Sequence, residues 1–432
     1  MPHPRNPPLN PTAGSDVRPD HRHSNHSVGK IFLHDLIPGI KDGLLPVQRR
    51  NLYALSEIGL CATKPPNTFD RIAATLGVDV EQNSDEEYDF FEGLLCMARP
   101  WVARYPLLAT EGDTEYPGHT PSEYGPILCR LTPLGQAMFD DLHPDIVSFV
   151  HGHGGRAPGP AFLPAQLPML LLNGTLRSEA SIDEDAEGDA DSAASNRPDS
   201  ECLPHNLGEV VDAVCAVISN PGVSIDEIAQ IIIGPDFPTG GSVLADDGLR
   251  SYLRTGCGRL TVRGRIEVRG REIIVVEVPF GVETGYFVGD LCEKMCNGGI
   301  VGARDIRDLS YGKAPRAAIV MSLKPDVTAA SVISQLYEKT LLTTHIDVEM
   351  RCMVDGAPRV MNIKGLIDAF ISYRCQVVSL RSARRIRRMD TPEEHLRNLP
   401  KSGADVVRVV KEELLALRGV YETKRRTDIV AV

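Results

Sequence analysis

The chain has 432 residues, long enough for two to four domains, and its 42% apolar and 24% charged content is ordinary for a soluble globular protein. A formal net charge of −12 argues against a generic polyanion binder, because neutralising phosphates takes a local surplus of lysine and arginine; a basic face on an acidic remainder is still allowed. No N-terminal apolar stretch reads as a leader, and no run approaches the length of a membrane span. Ten cysteines occur without a CxxC pair, which suggests neither a zinc site nor a disulfide framework and places the expected compartment in the reducing cytoplasm.

In chain order, residues 1–27 are rich in proline, histidine and asparagine and read as a disordered tail. Pro46 can open a helix, where its missing N–H is harmless; Leu52, Leu55 and Ile58 then share a face, and Gly59 can end it. Further helical stretches lie near 68–77 and 88–98, and another starts near Thr132. Residues 178–201 are acidic, serine- and alanine-rich and without periodicity, the pattern of a disordered insert. Asn206 with Glu209, and Ser224 with Glu227, form capping-box patterns ahead of apolar helical faces. The stretch 259–279 alternates and is broken by Arg-Gly turns, so it predicts strands. The stretch 346–362 alternates around an Asp-Gly pair, so it predicts a hairpin. A long helix is expected from near Ile363, with Leu366, Phe370, Tyr373 and Val377 on one face and a basic continuation carrying Arg381, Arg384, Arg385, Arg387 and Arg388. A last helix is expected near 404–418. The class is mixed α+β.

Several features invite chemistry and also have plainer readings. His119, His151 and His153 lack a carboxylate or cysteine at metal-ligand spacing, so no metal site is assigned. The Gly-Gly pairs at 240–241 and 298–299 lack Walker or dinucleotide spacing and read as turns. Cys292 and Cys296, spaced i, i+4, read as buried thiols. The arginines after residue 380 form either a polyanion patch or a solvated face balancing nearby glutamates. The acidic insert reads as a linker, with a partner-binding tail or a mimic of DNA charge as alternatives.

Six segments stand out together: PGIKDGLLPVQRRNLYALSEIGL (38–60), MARPWVARYPLL (97–108), FLPAQLPMLLLNGT (162–175), LPHNLGEVVDAVCAVISNP (203–221), GPDFPTGG (234–241) and ALRGVYETKRRTDI (416–429). In this order they resemble the A subunit of bacterial type IIA topoisomerases, the gyrase A and topoisomerase IV A family. The resemblance implies a winged-helix breakage-reunion-like domain at 28–177, an acidic insert at 178–202, a tower-like domain at 203–362, and a long basic helix, short connection and closing helix at 363–432, with the coiled-coil gate and the C-terminal DNA-wrapping domain missing. It implies a dimer forming a DNA gate. It implies DNA and a topoisomerase B subunit, or another A subunit, as partners. It also implies that the B subunit binds the ATP and magnesium and that this chain holds no cofactor. The family's activity is ATP-dependent DNA topoisomerase, in which a tyrosine attacks a phosphodiester and becomes attached to the 5′ end.

A phenol with a pKa of ~10 is a poor nucleophile at neutral pH and needs a base or positive charge beside it, while the phosphate needs charge stabilisation. Anchored on Arg130-Leu131, the position matching the family's nucleophile is Pro126, and that of its arginine partner is Gly125. Tyr124 falls two residues early, beside Glu123, which would raise a phenol's pKa. The family's His-Pro-His-Gly-Asp loop is replaced by acidic residues 78–91, and its upstream arginine by Asp35. Leu45 and Gln48 stand where the family has lysine and histidine, and the insert takes the place of the stretch carrying the family's base-wedging isoleucine. At about 4 Å and an effective dielectric of about 20, unit charges interact by ~4 kcal/mol, so replacing attraction by repulsion near a phosphate costs orders of magnitude in rate or affinity. The sequence therefore predicts a scaffold that binds DNA or topoisomerase subunits, through Lys41, Arg49, Arg50 and Arg130, and is deficient in cleavage. The alternatives are an active enzyme using Tyr124 as catalytic residue, and a protein-interaction module without DNA binding. With the coiled coil shortened, any homodimer is expected to be weak.

Overall fold

The computed structural model describes residues 37–76, 85–112, 125–150, 159–177, 202–310, 317–387, 400 and 402–431. Tyr124, the three histidines, Arg388, the N-terminal tail and the acidic insert lie outside the described residues.

The first helix is Pro46–Glu57, with Pro46 at its first position and Leu52 and Leu55 fully buried. Gly59 follows at φ 73°, a left-handed conformation that suits glycine and turns the chain away from the helix axis. Helices Phe69–Leu76 and Asp85–Ala98 follow, close to the predicted spans, and Phe69 stacks on Phe91 with ring centroids 5.5 Å apart. Strands Asn67–Thr68, Leu128–Leu131 and Leu108–Glu111 form a small antiparallel sheet with Leu128–Leu131 in the middle. Thr132 caps the short helix Pro133–Ala137 by accepting from the Gly135 N–H.

In helix Leu207–Ser219, Asn206 accepts from the Gly208 and Glu209 N–H groups, but the Glu209 carboxylate does not return to close a capping box. It accepts from Arg425 Nη1 at 2.7 Å instead, since a guanidinium is a stronger partner than a backbone amide. Ser224 and Glu227 do form the reciprocal box, ahead of helix Ile225–Ile231. The predicted strands appear as Cys257–Arg263, Arg265–Arg269 and Glu272–Glu277. The alternating stretch after residue 343 divides in two. Strand Thr343–Glu349 pairs antiparallel with Cys257–Arg263, and only Arg351–Val354 and Ala357–Val360 form the hairpin. Asp355 (φ 48°) and Gly356 (φ 81°) supply the two left-handed residues of its turn. Alternation reveals a strand's two faces and not its partner, which is why one hairpin was expected.

Helix Ile363–Arg387 buries Leu366, Phe370, Tyr373 and Val377, as its periodicity predicted. Helix Gly403–Tyr421 packs beside it, and strand Asp428–Val430 then joins Ser242–Leu244 in parallel. One large apolar core runs from Leu44 to Leu414. A second, spanning Ile273 to Leu342, sits where helices Thr284–Cys296 and Ala329–Lys339 meet the sheet of strands Arg265–Arg269, Glu272–Glu277, Ala303–Asp308 and Ile319–Leu323. The fold is thus a mixed helix-and-sheet structure. No helix among the described residues is long and apolar enough to cross a membrane.

Candidate nucleic-acid interface

The Asp42-Gly43-Leu44 turn positions the first group of cations. Gly43 has φ 70°, and a side chain there would meet the Leu170 backbone nitrogen at 2.6 Å, so only glycine lets this turn lie against the Met169–Asn173 helix. Asp42 is fully buried and accepts from Leu44 N (3.2 Å), Leu163 N (2.9 Å), Arg49 Nε (2.5 Å) and Arg49 Nη2 (2.9 Å). Arg49 also donates to the Leu44 carbonyl at 3.1 Å. Burial works against the Arg49 charge, but the Asp42 carboxylate outweighs it and holds the guanidinium above its ordinary value. Arg49 is therefore an arm of the scaffold: its fork faces Asp42, in a bidentate pair that locks the turn to the helix.

Lys41 places Nζ 4.3 Å from the Phe162 ring centroid and 5.9 Å from that of Tyr373, a cation–π seat for a half-buried ammonium. Gln48 is buried, with its amide oxygen accepting from Leu45 N at 3.0 Å and its nitrogen donating to the Leu176 carbonyl at 2.7 Å. It ties the helix to the segment that leads into the acidic insert. Arg50 is half-buried on the same helix and engaged.

Arg130 lies on the central strand Leu128–Leu131, opposite Ala109, half-buried and without an ion pair among the described residues. Just before it, the turn at Gly125-Pro126 is pinned to the start of helix Phe69–Leu76. Phe69 N donates to Ile127 O at 2.9 Å and Asp70 N to Gly125 O at 3.3 Å. A methyl group built on Gly125 would overlap the Asp70 carboxylate, so no larger side chain fits there without displacing it. Pro126 is exposed at the tip. The turn therefore presents a proline ring with the Asp70 carboxylate against the preceding glycine.

Four of the six recognisable segments converge on another acid, Asp236. It is fully buried and accepts from Arg104 Nε at 3.0 Å, Asn206 Nδ2 at 3.1 Å, Arg426 N at 2.7 Å and Thr427 N at 3.1 Å. Arg104 is fully buried too and donates through Nη2 to the Lys424 carbonyl at 2.8 Å. Nearby, His205 bonds the Leu171 carbonyl through Nδ1 at 3.0 Å and faces the Tyr252 hydroxyl through Nε2 at 2.9 Å. Burial pushes the His205 pKa down to about 4, against the opposing pull of its bond to Leu171, so the ring is neutral at pH 7. Sequence reasoning treats these segments as signatures and misses Asp42 and Asp236 as anchors. A lone acid between glycine, proline and aromatic residues, as in GPDFP, is the signal that finds Asp236, because such a residue is buried only when it is paired; Asp42, between Lys41 and Gly43, carries no such signal.

The basic end of helix Ile363–Arg387 is only partly free. Arg381 donates to Asp141 at 3.2 Å and to Glu413 at 2.5 Å, and the fully buried Arg374 binds the same two carboxylates. Arg384 Nε lies 3.7 Å from Asp145, while Arg385 and Arg387 are exposed. Cys292 is half-buried and Cys296 exposed, so the expectation that both are buried thiols does not hold: they face outward from helix Thr284–Cys296, whose buried residues are Thr284, Phe287 and Leu291. Among the described residues no group of three or more histidine, cysteine, aspartate or glutamate side chains could hold a metal ion.

Residues 36–416 match the family model that describes the A subunit of DNA gyrase/topoisomerase IV. The chloroplastic/mitochondrial gyrase A subunit of Arabidopsis thaliana is 34% identical over 361 residues, covering 82% of this chain and 36% of the plant protein. The DNA gyrase A subunit of Rickettsia conorii is 34% identical over 358 residues, 82% of this chain and 37% of the relative. That of Thermotoga maritima is 31% identical over 411 residues, 92% of this chain and 48% of the relative. The chain therefore spans between about a third and a half of the length of these relatives.

Proposed function

The chain belongs to the A-subunit family of DNA gyrase and topoisomerase IV, and from that premise we propose that it is a gyrase A-like protein that engages duplex DNA or other topoisomerase subunits without cutting the strand. One observation carries the proposal: Pro126 is exposed on a turn whose Gly125 lies against the Asp70 carboxylate. A proline within a chain has neither a hydroxyl nor an N–H, so it supplies no nucleophile and no proton. The carboxylate beside it repels a phosphate. In this reading the helices Pro46–Glu57 and Phe69–Leu76 with their three-stranded sheet act as a winged helix, and the second core belongs to a tower. Lys41, Arg50 and Arg130 make the phosphate contacts, and Arg49 orders the turn that carries Lys41. ATP and magnesium stay with a B subunit, the site of action is the cytoplasm, and the homodimer is weak.

The test is incubation of the protein with a B subunit, ATP, magnesium and supercoiled plasmid, followed by detergent denaturation. The expected result is no protein joined covalently to DNA 5′ ends. An adduct that disappears in Tyr124→Phe would overturn the proposal in favour of an active enzyme. In a gel shift with duplex DNA, binding should weaken steeply between low and moderate salt, as counterion release requires. Absence of any complex at either salt removes the DNA-binding half and leaves a protein-interaction module. Sedimentation at nanomolar concentration should show monomer, and a tight dimer there refutes the weak-dimer expectation.

A further inference from the structure

At the Asp236 anchor the scaffold leaves one donor unsatisfied. Arg104 gives Nε and Nη2 to Asp236 and Lys424, but its Nη1 is buried with no hydrogen-bond partner among the described residues. Trp101 Nε1 and Thr239 Oγ1 are buried and unpartnered in the same way. Arg426 lies next to Arg104, whose charge acts on it, and touches the chain neighbours of the other two. Its Nη1 donates to the Pro238 carbonyl at 2.7 Å and the Pro100 carbonyl at 3.4 Å, so the residues next to Thr239 and Trp101 hold one side of the guanidinium in place.

The Arg426 guanidinium touches no carboxylate among the described residues: only its backbone N–H reaches Asp236. Glu277 acts on it from a distance and is already engaged by Gly241 N at 2.7 Å and Arg265 Nε at 3.3 Å. Its neighbour Arg425 is spent on Glu209 at 2.7 Å and on the Thr427 carbonyl at 2.7 Å. Burial, and then the repulsion of Arg104, hold the Arg426 pKa below its ordinary value, against the opposing pull of the Asp236 and Glu277 carboxylates. Lys424, with its carbonyl fixed by Arg104, is exposed at the rim.

A half-buried guanidinium clamped along one side, beside a second, buried guanidinium and without a carboxylate partner among the described residues, suits an acceptor with several oxygens and negative charge. We propose that the Arg426 face, rimmed by Lys424 and backed by Arg104, binds a phosphoryl oxyanion, either free phosphate or a backbone phosphate of nucleic acid. Arginine presents its remaining N–H groups in a fixed plane, which matches two oxygens of such a group and discriminates against a spherical anion. The site shares no contact residue with the Gly125-Pro126 turn and does not depend on the cleavage reading above.

Trp101 is the chain's one tryptophan, which makes it a built-in reporter. The full chain is titrated with inorganic phosphate, against sodium chloride at equal ionic strength, while tryptophan fluorescence and the melting temperature are followed. A saturable fluorescence change and a rise in melting temperature with phosphate but not chloride are expected. Arg426→Lys, which keeps the charge and loses the fork, should weaken phosphate several-fold, and Arg426→Gln should abolish the response. No phosphate-specific response in the unaltered protein, or an undiminished one in a folded Arg426→Gln, overturns the proposal. A duplex arm separates the two sources: loss of about one unit from the salt slope of DNA binding in Arg426→Gln assigns the site to backbone phosphate. An unchanged slope, with the phosphate response of the unaltered protein lost in that variant, assigns it to the free anion.

Discussion

Replacing Asp236 by asparagine keeps the shape of the side chain and removes its charge. In the native protein Asp236 and Arg104 are both fully buried, with Nη2 2.9 Å from Oδ2, and the carboxylate also takes Asn206 Nδ2, Arg426 N and Thr427 N. Asp236→Asn leaves a guanidinium stranded away from water and turns an amide N–H toward groups that are themselves donors. Breaking one side of a buried pair costs about 3–5 kcal/mol, which for a folded unit that spans most of this chain corresponds to a drop in melting temperature of roughly 3–7 °C. Arg104→Met should cost less, about 1–3 kcal/mol, because Asp236 keeps three N–H donors. The double variant should then be more stable than Asp236→Asn alone, since the stranded cation is gone. Thermal and urea unfolding of the four proteins give the coupling directly. A loss under about 1 kcal/mol for Asp236→Asn, or strictly additive effects in the double variant, would refute the view that this acid organises the four segments.

His205 makes stability depend on pH in a stated direction. Its ring titrates near 6.5 in the unfolded chain and near 4 in the folded one, so between those values the unfolded chain binds more protons. Stability should fall as pH drops from about 6.5 towards 4, by about 3 kcal/mol in total from this group, and urea midpoints across that range should flatten in His205→Asn. Gly43→Ala, in a left-handed turn against the Leu170 backbone, should cost at least about 2 kcal/mol, whereas Gly270→Asn, at φ 62° with open space around it, should cost under about 1 kcal/mol. Ser224→Ala removes the capping box of helix Ile225–Ile231 and should cost about 1 kcal/mol by the same denaturation assay.

Much of the local architecture was legible from the residues. Periodicity found the long helix and its buried face, and proline and glycine set the first helix, because these signals act between residues three or four apart. What the sequence did not reveal was the use made of its charges. Arg49 and Arg381 looked like candidates for phosphate and are held by Asp42 and by Asp141 with Glu413.

The sequence alone determined the family and the helix-and-sheet class, since those depend on residue type and spacing along the chain. The tertiary structure alone decided which charges are spent and which remain. Arg104 meets Asp236 across 132 positions and Arg426 reaches the Pro238 carbonyl across 188. Whether a guanidinium is neutralised depends on a carboxylate lying within a few ångströms in space, and chain spacing does not encode that distance.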